Sequence, residues 1–546
     1  MTSDLTKIQW GGEMICRQLS QASKSTWLLS TSLIAAAIAM WSGVPTSAFA
    51  AQDCAALANL KINNTNLLSA AEVPADGDLP AYCRVLGYVR PAINFEIKLP
   101  LQAWNGKFYM VGCGGFCGTL NSEARGFSNA MNFGLRRNYA VSASDSGHWG
   151  TNAVDARWAL YNPVAVMDWA QRYVPETARV SKIIVKAYYG AAHKKSYFAG
   201  CSQGGRIGLM QALRNPKDFD GIISGAPAID NTGLYNHFAW VANANSGPDG
   251  KSVFSPAKLN LLRNAVYAAC GEKLGVADAV IADPRACHFK PSTLQCRAGD
   301  AADCLTQAEV AAAEKIYSGP VNSRGQRLFP GVPPGSEPFW PARITGTGGG
   351  QALPFAQSYF KYMAFDPPVG PSYNVINYDF DKDPPRLAGA ASITNAATYN
   401  TSTGEIEFGD MNAFKAAGRK LLIWQGWADA AIPPQHSVDF YEALSKKEGG
   451  IAVAQDFARL FMVPGMDHCG FQNIGPGPAD TGIDPLTALE KWVEEGKAPS
   501  ELIATKTAPN SNETLWRRPV CAYPKAAHYK GSGDPTDATS FTCTPP

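Results

Sequence analysis

An α/β architecture, a mostly parallel sheet covered by helices and interrupted by one large insertion, is what this sequence predicts. Three observations carry that expectation. Short β-rich runs alternate with helical stretches from about Cys54 to Gly225. The alternation resumes after about Met411, and between the two the chain is rich in Gly, Pro and aromatic residues. The 546 residues, 46% hydrophobic and only 17% charged, suffice to bury a large core and exclude a disordered chain.

In chain order, 108–111 reads as a strand that enters the glycine-rich turn Gly112-Cys113-Gly114-Gly115. A second strand is expected over 139–142, a helix over 180–192 and a further strand over 196–199, ending at Gly200. A helix over 205–213 and a strand over 219–224 follow. From Ile229 to about Asp410 the regularity disappears, and this stretch is read as an irregular insertion. A helix over 411–417, a strand over 421–425, a helix over 436–445 and a strand over 459–463 complete the sheet. The domain reading is thus a leader over 1–50, a catalytic domain built from 51–228 and 411–546, and an inserted domain over 229–410.

The leader rests on Lys24, an apolar run from Trp27 to Trp41 and the small-residue site Ala48-Phe49-Ala50. That run is short of the ~20 apolar residues a membrane span needs and contains hydroxyl side chains. A secretory signal is expected, with translation beginning at Met1 or Met14. The mature chain is expected to be soluble and secreted or periplasmic, with no membrane association after the leader is removed. Removing Cys16 with the leader leaves an even number of the 13 cysteines, which suits disulfides in an oxidising compartment. There is no C-x-x-C pair for zinc, and the formal charge of +2 comes without a like-charge run, so nucleic acid is not an expected partner.

The chemistry is concentrated in Gly200-Cys201-Ser202-Gln203-Gly204, a G-x-S-x-G pattern. Such a pattern arises by chance on the order of 0.3 times in a chain this rich in glycine. Its context between a strand and a helix, with a further strand following, is what a nucleophile on an α/β-hydrolase sheet requires. A serine hydroxyl needs a histidine base and an acid to orient the imidazole, in the chain order Ser, acid, His. His468 follows the last strand on the turn Pro464-Gly465-Met466-Asp467 and is the preferred base. His436, near a helix start, reads as a solvated surface residue, and His528 lies in the C-terminal tail between cysteines. Asp429 lies past the end of the 421–425 strand and is the expected acid, with Asp467 as competitor. For the oxyanion, the N–H of Gln203 and one from the Gly112 to Gly118 turn, assigned to Gly115, are the expected donors.

These residues together resemble the tannase and feruloyl esterase family, which includes mono(2-hydroxyethyl) terephthalate hydrolases. The likeness rests on Gly-Cys-Ser-Gln-Gly-Gly at 200–205, Gly-Ala-Pro at 225–227, Gly-Trp-Ala-Asp at 426–429 and Pro-Gly-Met-Asp-His-Cys at 464–469. The resemblance implies an α/β-hydrolase fold with a large inserted lid domain, and a disulfide between Cys201 and Cys469. It also implies pairs Cys54 with Cys83, Cys270 with Cys287, Cys296 with Cys304 and Cys521 with Cys543, leaving Cys113 and Cys117 to join each other. The family commonly holds calcium in an aspartate-rich lid loop. Here the loop runs from Gly271 to Asp278, only Asp278 matches, and Gly271 and Leu274 replace other ligands, so no cofactor or metal is expected.

A secreted serine carboxylic ester hydrolase acting on small aromatic esters, feruloyl, galloyl or similar, is the resulting expectation. A silent binding module and a peptidase on the same fold are the alternatives. The insertion's aromatics Trp240, Phe339, Trp340, Tyr359, Phe360, Tyr362 and Tyr373 are available to stack on a substrate ring, with most of them expected in the insertion's core.

Overall fold

Period-two alternation of buried side chains builds the centre of the molecule. In the computed structural model, residues 53–120, 124, 126–247, 249–271, 280–346 and 349–545 are described. The leader, its cleavage site, both candidate start methionines and residues 272–278 of the calcium-loop reading lie outside them. Strands β1 (Thr65–Val73), β2 (Tyr82–Val89), β3 (Ile93–Pro100), β4 (Lys107–Val111), β5 (Ala140–Ser144), β6 (Lys195–Cys201) and β7 (Gly221–Gly225) come first. A small hairpin, β8 (Ala397–Asn400) and β9 (Glu405–Phe408), precedes β10 (Lys420–Gly426) and β11 (Ala458–Val463). Among the described residues the main sheet has nine strands, in the order β1-β2-β3-β5-β4-β6-β7-β10-β11.

From β5 to β11 neighbouring strands are parallel, whereas β1, β2, β3 and β5 pair antiparallel. The expectation of alternating strands and helices from Cys54 onward is corrected there. Only three residues separate β2 from β3, enough for a hairpin but too few for the crossover that parallel pairing needs. Along β4 and β6, Phe108, Met110 and Phe198 enter the core on one face while Tyr109, Val111, Tyr197 and Ala199 enter it on the other. Helices cover both faces, as a parallel sheet requires. Each large apolar side chain fully buried in this way stabilises the fold by ~2 to 3 kcal/mol.

The expected helix over 180–192 is instead Tyr173–Tyr189, ended by Gly190 in the left-handed region at φ 70°. The other sheet elements lie within two residues of their expected positions, which places Ser202 between β6 and the helix Gln203–Arg214. Between β7 and β10, neighbours in the sheet, the chain leaves for nearly two hundred residues, and the described residues of that stretch add no strand to the sheet. This stretch is more helical than its composition suggested. Asn231–Asn245, Pro256–Cys270, Gln307–Ser318 and Ala352–Tyr362 are α-helices, and the Gly and Pro residues are concentrated in the segments joining them. Phe49–Pro546 forms one compact unit, so the insertion is packed onto the sheet. Among the described residues no helix is long and apolar enough to cross a membrane.

Candidate active site

Ser202 stands at the sharp turn between β6 and the helix that follows, with φ 65° and ψ −121°, a conformation a non-glycine residue adopts at a cost of ~1 to 3 kcal/mol. The turn is held from both sides. Ser202 N–H donates to Gly225 O at 2.9 Å, and Arg206 N–H donates to Ser202 O at 2.9 Å. A Cβ on Gly200 would stand 2.3 Å from Gly204 O, so the glycine before the serine is required by the return of the chain over itself.

Asp429 and His468 meet beyond the ends of β10 and β11. His468 Nδ1 is 2.8 Å from Asp429 Oδ2, and both side chains are buried. Asp429 Oδ2 also accepts from Gln425 Nε2 at 2.8 Å, while Oδ1 accepts from the N–H groups of Ala431 and Ile432, each at 2.8 Å. Four donors thus fix the carboxylate, and the carboxylate fixes the imidazole as the Nδ1–H tautomer. The other ring nitrogen, Nε2, lies 3.7 Å from Cys469 Sγ. Cys469 is bonded to Cys201, with Cα atoms 5.9 Å apart across a sequence separation of 268.

Ser202, Gln203, His468, Gly114 and Gly115 line one cavity of about 150 Å³. Its walls are mostly apolar and aromatic, with Leu234, Tyr235, Phe238, Phe355, Ile432 and Phe471 among them. Among the hydrogen bonds of the described residues, none joins Ser202 Oγ to His468 in this conformation. Gln203 opens its helix, so its N–H has no intrahelical acceptor. Gly115 adopts φ 57°, and a Cβ there would stand 2.3 Å from Ala153 O. The carbonyl that needs this glycine is therefore one of the chain's own, and Phe116 N–H donates to it at 2.7 Å.

Residues 80–544 match the family model described as tannase and feruloyl esterase. The chain belongs to the tannase and feruloyl esterase family. It is 34% identical to an uncharacterized esterase of Xanthomonas campestris pv. campestris, covering 91% of this chain and 92% of that one. It is 32% identical to the mono(2-hydroxyethyl) terephthalate hydrolase of Piscinibacter sakaiensis, covering 86% and 85%. A solved structure of feruloyl esterase B from Aspergillus oryzae superposes with a TM-score of 0.78 at 25% identity, covering 90% of this chain and all of that one. The protein is a carboxylic ester hydrolase with an α/β-hydrolase fold.

Within this tannase and feruloyl esterase framework, all six cysteine pairs form as the resemblance implied, including Cys113 with Cys117 and Cys521 with Cys543. Asp467, the competitor for the acid position, turns away from the imidazole. Its Oδ2 accepts from Arg343 Nη2 at 2.7 Å and Nε at 3.1 Å. Burial raises its pKa; Arg343 opposes that shift and the charge of Asp429 adds to it. His436 is not a surface residue: it is buried against Phe329, ring centroids 4.6 Å apart, because its helix packs that face inward. His528 lies on the short strand Ala526–Tyr529 and does not line the cavity. None of the seven aromatics singled out in the insertion lines the cavity; Phe339, Trp340, Tyr359 and Phe360 are buried in the core instead.

Sequence reasoning missed two groups at the site. Arg343, from the insertion, lines the cavity, pairs with Asp467 and donates to Gln351 Oε1. His148 Nε2–H donates to Phe116 O at 2.7 Å, and its ring stacks on Trp158 at 3.5 Å, bracing the glycine-rich loop. Burial pushes His148 down to about 4, so it is neutral at ordinary pH. Neither had a local signal, since each acts on a segment distant in sequence. Among the described residues no cluster of three or more His, Cys, Asp or Glu side chains is arranged to hold a metal ion.

Proposed function

We propose that this esterase cleaves esters of small aromatic acids through an acyl-serine intermediate on Ser202. His468 Nε2 takes the Ser202 proton as Oγ attacks the ester carbonyl, and Asp429 stabilises the imidazolium through Nδ1–H. The N–H groups of Gly115 and Gln203 receive the oxyanion. His468 then returns the proton to the leaving alcohol, and water repeats the sequence to free the acid. The observation that carries this reading is that Ser202, His468, Gly115 and Gln203 line one aromatic-walled cavity of about 150 Å³. Apolar space of roughly that size accepts a benzene ring, and the names of the relatives, feruloyl esterase and terephthalate hydrolase, support aryl esters as the substrate class. Six disulfides support maturation in an oxidising compartment, secreted or periplasmic.

Hydrolysis of a ferulate, a gallate and a terephthalate monoester, beside an acetate ester and a matched anilide, tests the proposal. At least one aryl ester should be turned over much faster than the acetate, and the anilide scarcely at all. Ser202→Ala and His468→Ala should each lower kcat by roughly 1,000-fold or more. A folded Ser202→Ala protein with near-normal turnover would remove the serine from the mechanism.

A further inference from the structure

β4 turns away at Gly112 to form the glycine-rich loop, while β6 runs on to Cys201. In a parallel pair, alternate residues present both their N–H and their C=O to the same neighbour. Ala199 faces β4, its carbonyl accepting from Gly112 N–H at 3.0 Å, so Cys201, two residues on, faces the same side after β4 has gone. The side chain of Asn129 fills that place. Cys201 N–H donates to Asn129 Oδ1 at 2.9 Å, and Asn129 Nδ2 donates back to Cys201 O at 3.2 Å. The carboxamide therefore stands in for one peptide unit of the missing strand, directly before Ser202. Its approach also explains the second glycine of the G-x-S-x-G turn, because a Cβ on Gly204 would stand 2.4 Å from Asn129 Oδ1.

The adjoining residue reaches the other half of the site. Ser128 Oγ donates to Cys469 O at 3.1 Å, directly after His468. The segment is anchored by the buried carboxylate of Asp480, which accepts from Phe127 N–H at 3.0 Å and Ser128 N–H at 2.9 Å. We propose that Ser128 and Asn129 form a positioning strap that sets the nucleophile and the base at a fixed separation, in parallel with the Cys201–Cys469 disulfide. The inference rests on the assignment of Ser202 and His468 as nucleophile and base. Neither strap residue lines the cavity, so neither is a catalytic residue, and their effect falls on kcat and not on KM.

The test uses the full chain, with kcat and KM for a methyl hydroxycinnamate, the labelling rate by a small alkyl fluorophosphonate, and the melting temperature. Ser202→Ala should abolish labelling; labelling that survives it refutes the nucleophile assignment, whatever Asn129 does. With that control satisfied, Asn129→Ala should lower kcat and labelling together by about 10- to 100-fold, with KM within about 2-fold. Ser128→Ala should lower them less. Asn129→Asp keeps the acceptor for Cys201 N–H and regains a donor to Cys201 O only when its buried carboxyl is protonated. Its labelling rate relative to wild type should therefore climb as the pH is lowered from about 8 to about 6. Unchanged kcat in folded Asn129→Ala overturns the proposal. So does a flat ratio for Asn129→Asp, which decides the matter even if the alanine variant fails to fold.

Discussion

Replacing both Cys201 and Cys469 by alanine removes the cross-link between the strand that leads into Ser202, the proposed nucleophile, and the turn that carries His468, the proposed base. The loop it closes spans 268 residues. On the chain-entropy account a loop of that length restricts the unfolded chain by about 5.5 kcal/mol at 25 °C. The bridges Cys270–Cys287 and Cys296–Cys304 lie inside the loop and shortcut 17 and 8 residues of it, which changes the logarithm by only about 0.1 kcal/mol. A chain of roughly 490 folded residues has an unfolding entropy near 1 kcal/mol per degree, so the loss corresponds to a melting temperature lower by about 5 °C. The bridge Cys521–Cys543 closes only 22 residues, and its removal should cost about 3.4 kcal/mol, or about 3 °C, on the same account. Activity separates the two more sharply. Loss of Cys201–Cys469 should lower kcat by about 10- to 100-fold in protein that remains folded, because it frees the base turn relative to the nucleophile. Loss of Cys521–Cys543, remote from the cavity, should leave kcat within about 2-fold. Melting followed by circular dichroism and initial rates on an aryl ester measure both quantities. Equal effects on kcat from the two removals, or none from the first, would refute the reasoning.

Asp429→Asn should lower kcat at least 100-fold with little change in melting temperature, whereas Asp467→Ala, which removes the ion-pair partner of the buried Arg343, should cost about 3 to 5 kcal/mol of stability. Kinetics and thermal melts on the two variants check this, and a reversed pattern would exchange their roles. Phe355→Ala and Phe238→Ala open the cavity wall and should raise KM for aryl esters several-fold while acetate ester hydrolysis holds; a uniform change across both substrates would place the ring elsewhere. Burial pushes His436 down to about 3, so between that value and its ordinary one near 6.5 the unfolded chain binds the extra proton and stability is lost as pH falls. His436→Phe should therefore gain on the order of 2 kcal/mol relative to wild type between pH 7 and pH 5, read as a change in the melting-temperature difference. A difference independent of pH would contradict this.

The strands at the heart of the sheet were legible because a five- to seven-residue run buried on both faces leaves a continuous apolar signature, as in β6 and β10. The turn at Ser202 was legible because its backbone conformation demands glycine on either side, a local requirement written in local letters. Asp429 and His468 could be selected because each lies in the turn that follows such a strand. The antiparallel start of the sheet was misread because β1 to β3 and the parallel strands share the same local propensities, and only the three residues between β2 and β3 force a hairpin. His436 was misread because a polar side chain near a helix start carries no mark of which face will be covered.

The sequence by itself determined the sheet's central strands, the turn at Ser202 and the residues that pair across the candidate centre, since these depend on neighbours in the chain. Which groups then hold that centre was decided only in three dimensions. Asn129 completes the ladder beside Cys201, Ser128 reaches Cys469, Arg343 crosses from the insertion to Asp467, and His148 braces the glycine-rich loop. In each case the partner's need, a main-chain group or a charge without a neighbour, is created only when the sheet's strands separate and the insertion closes over them. A buried polar group must find its partner wherever the fold brings one, and that distance is not written in the spacing of the chain.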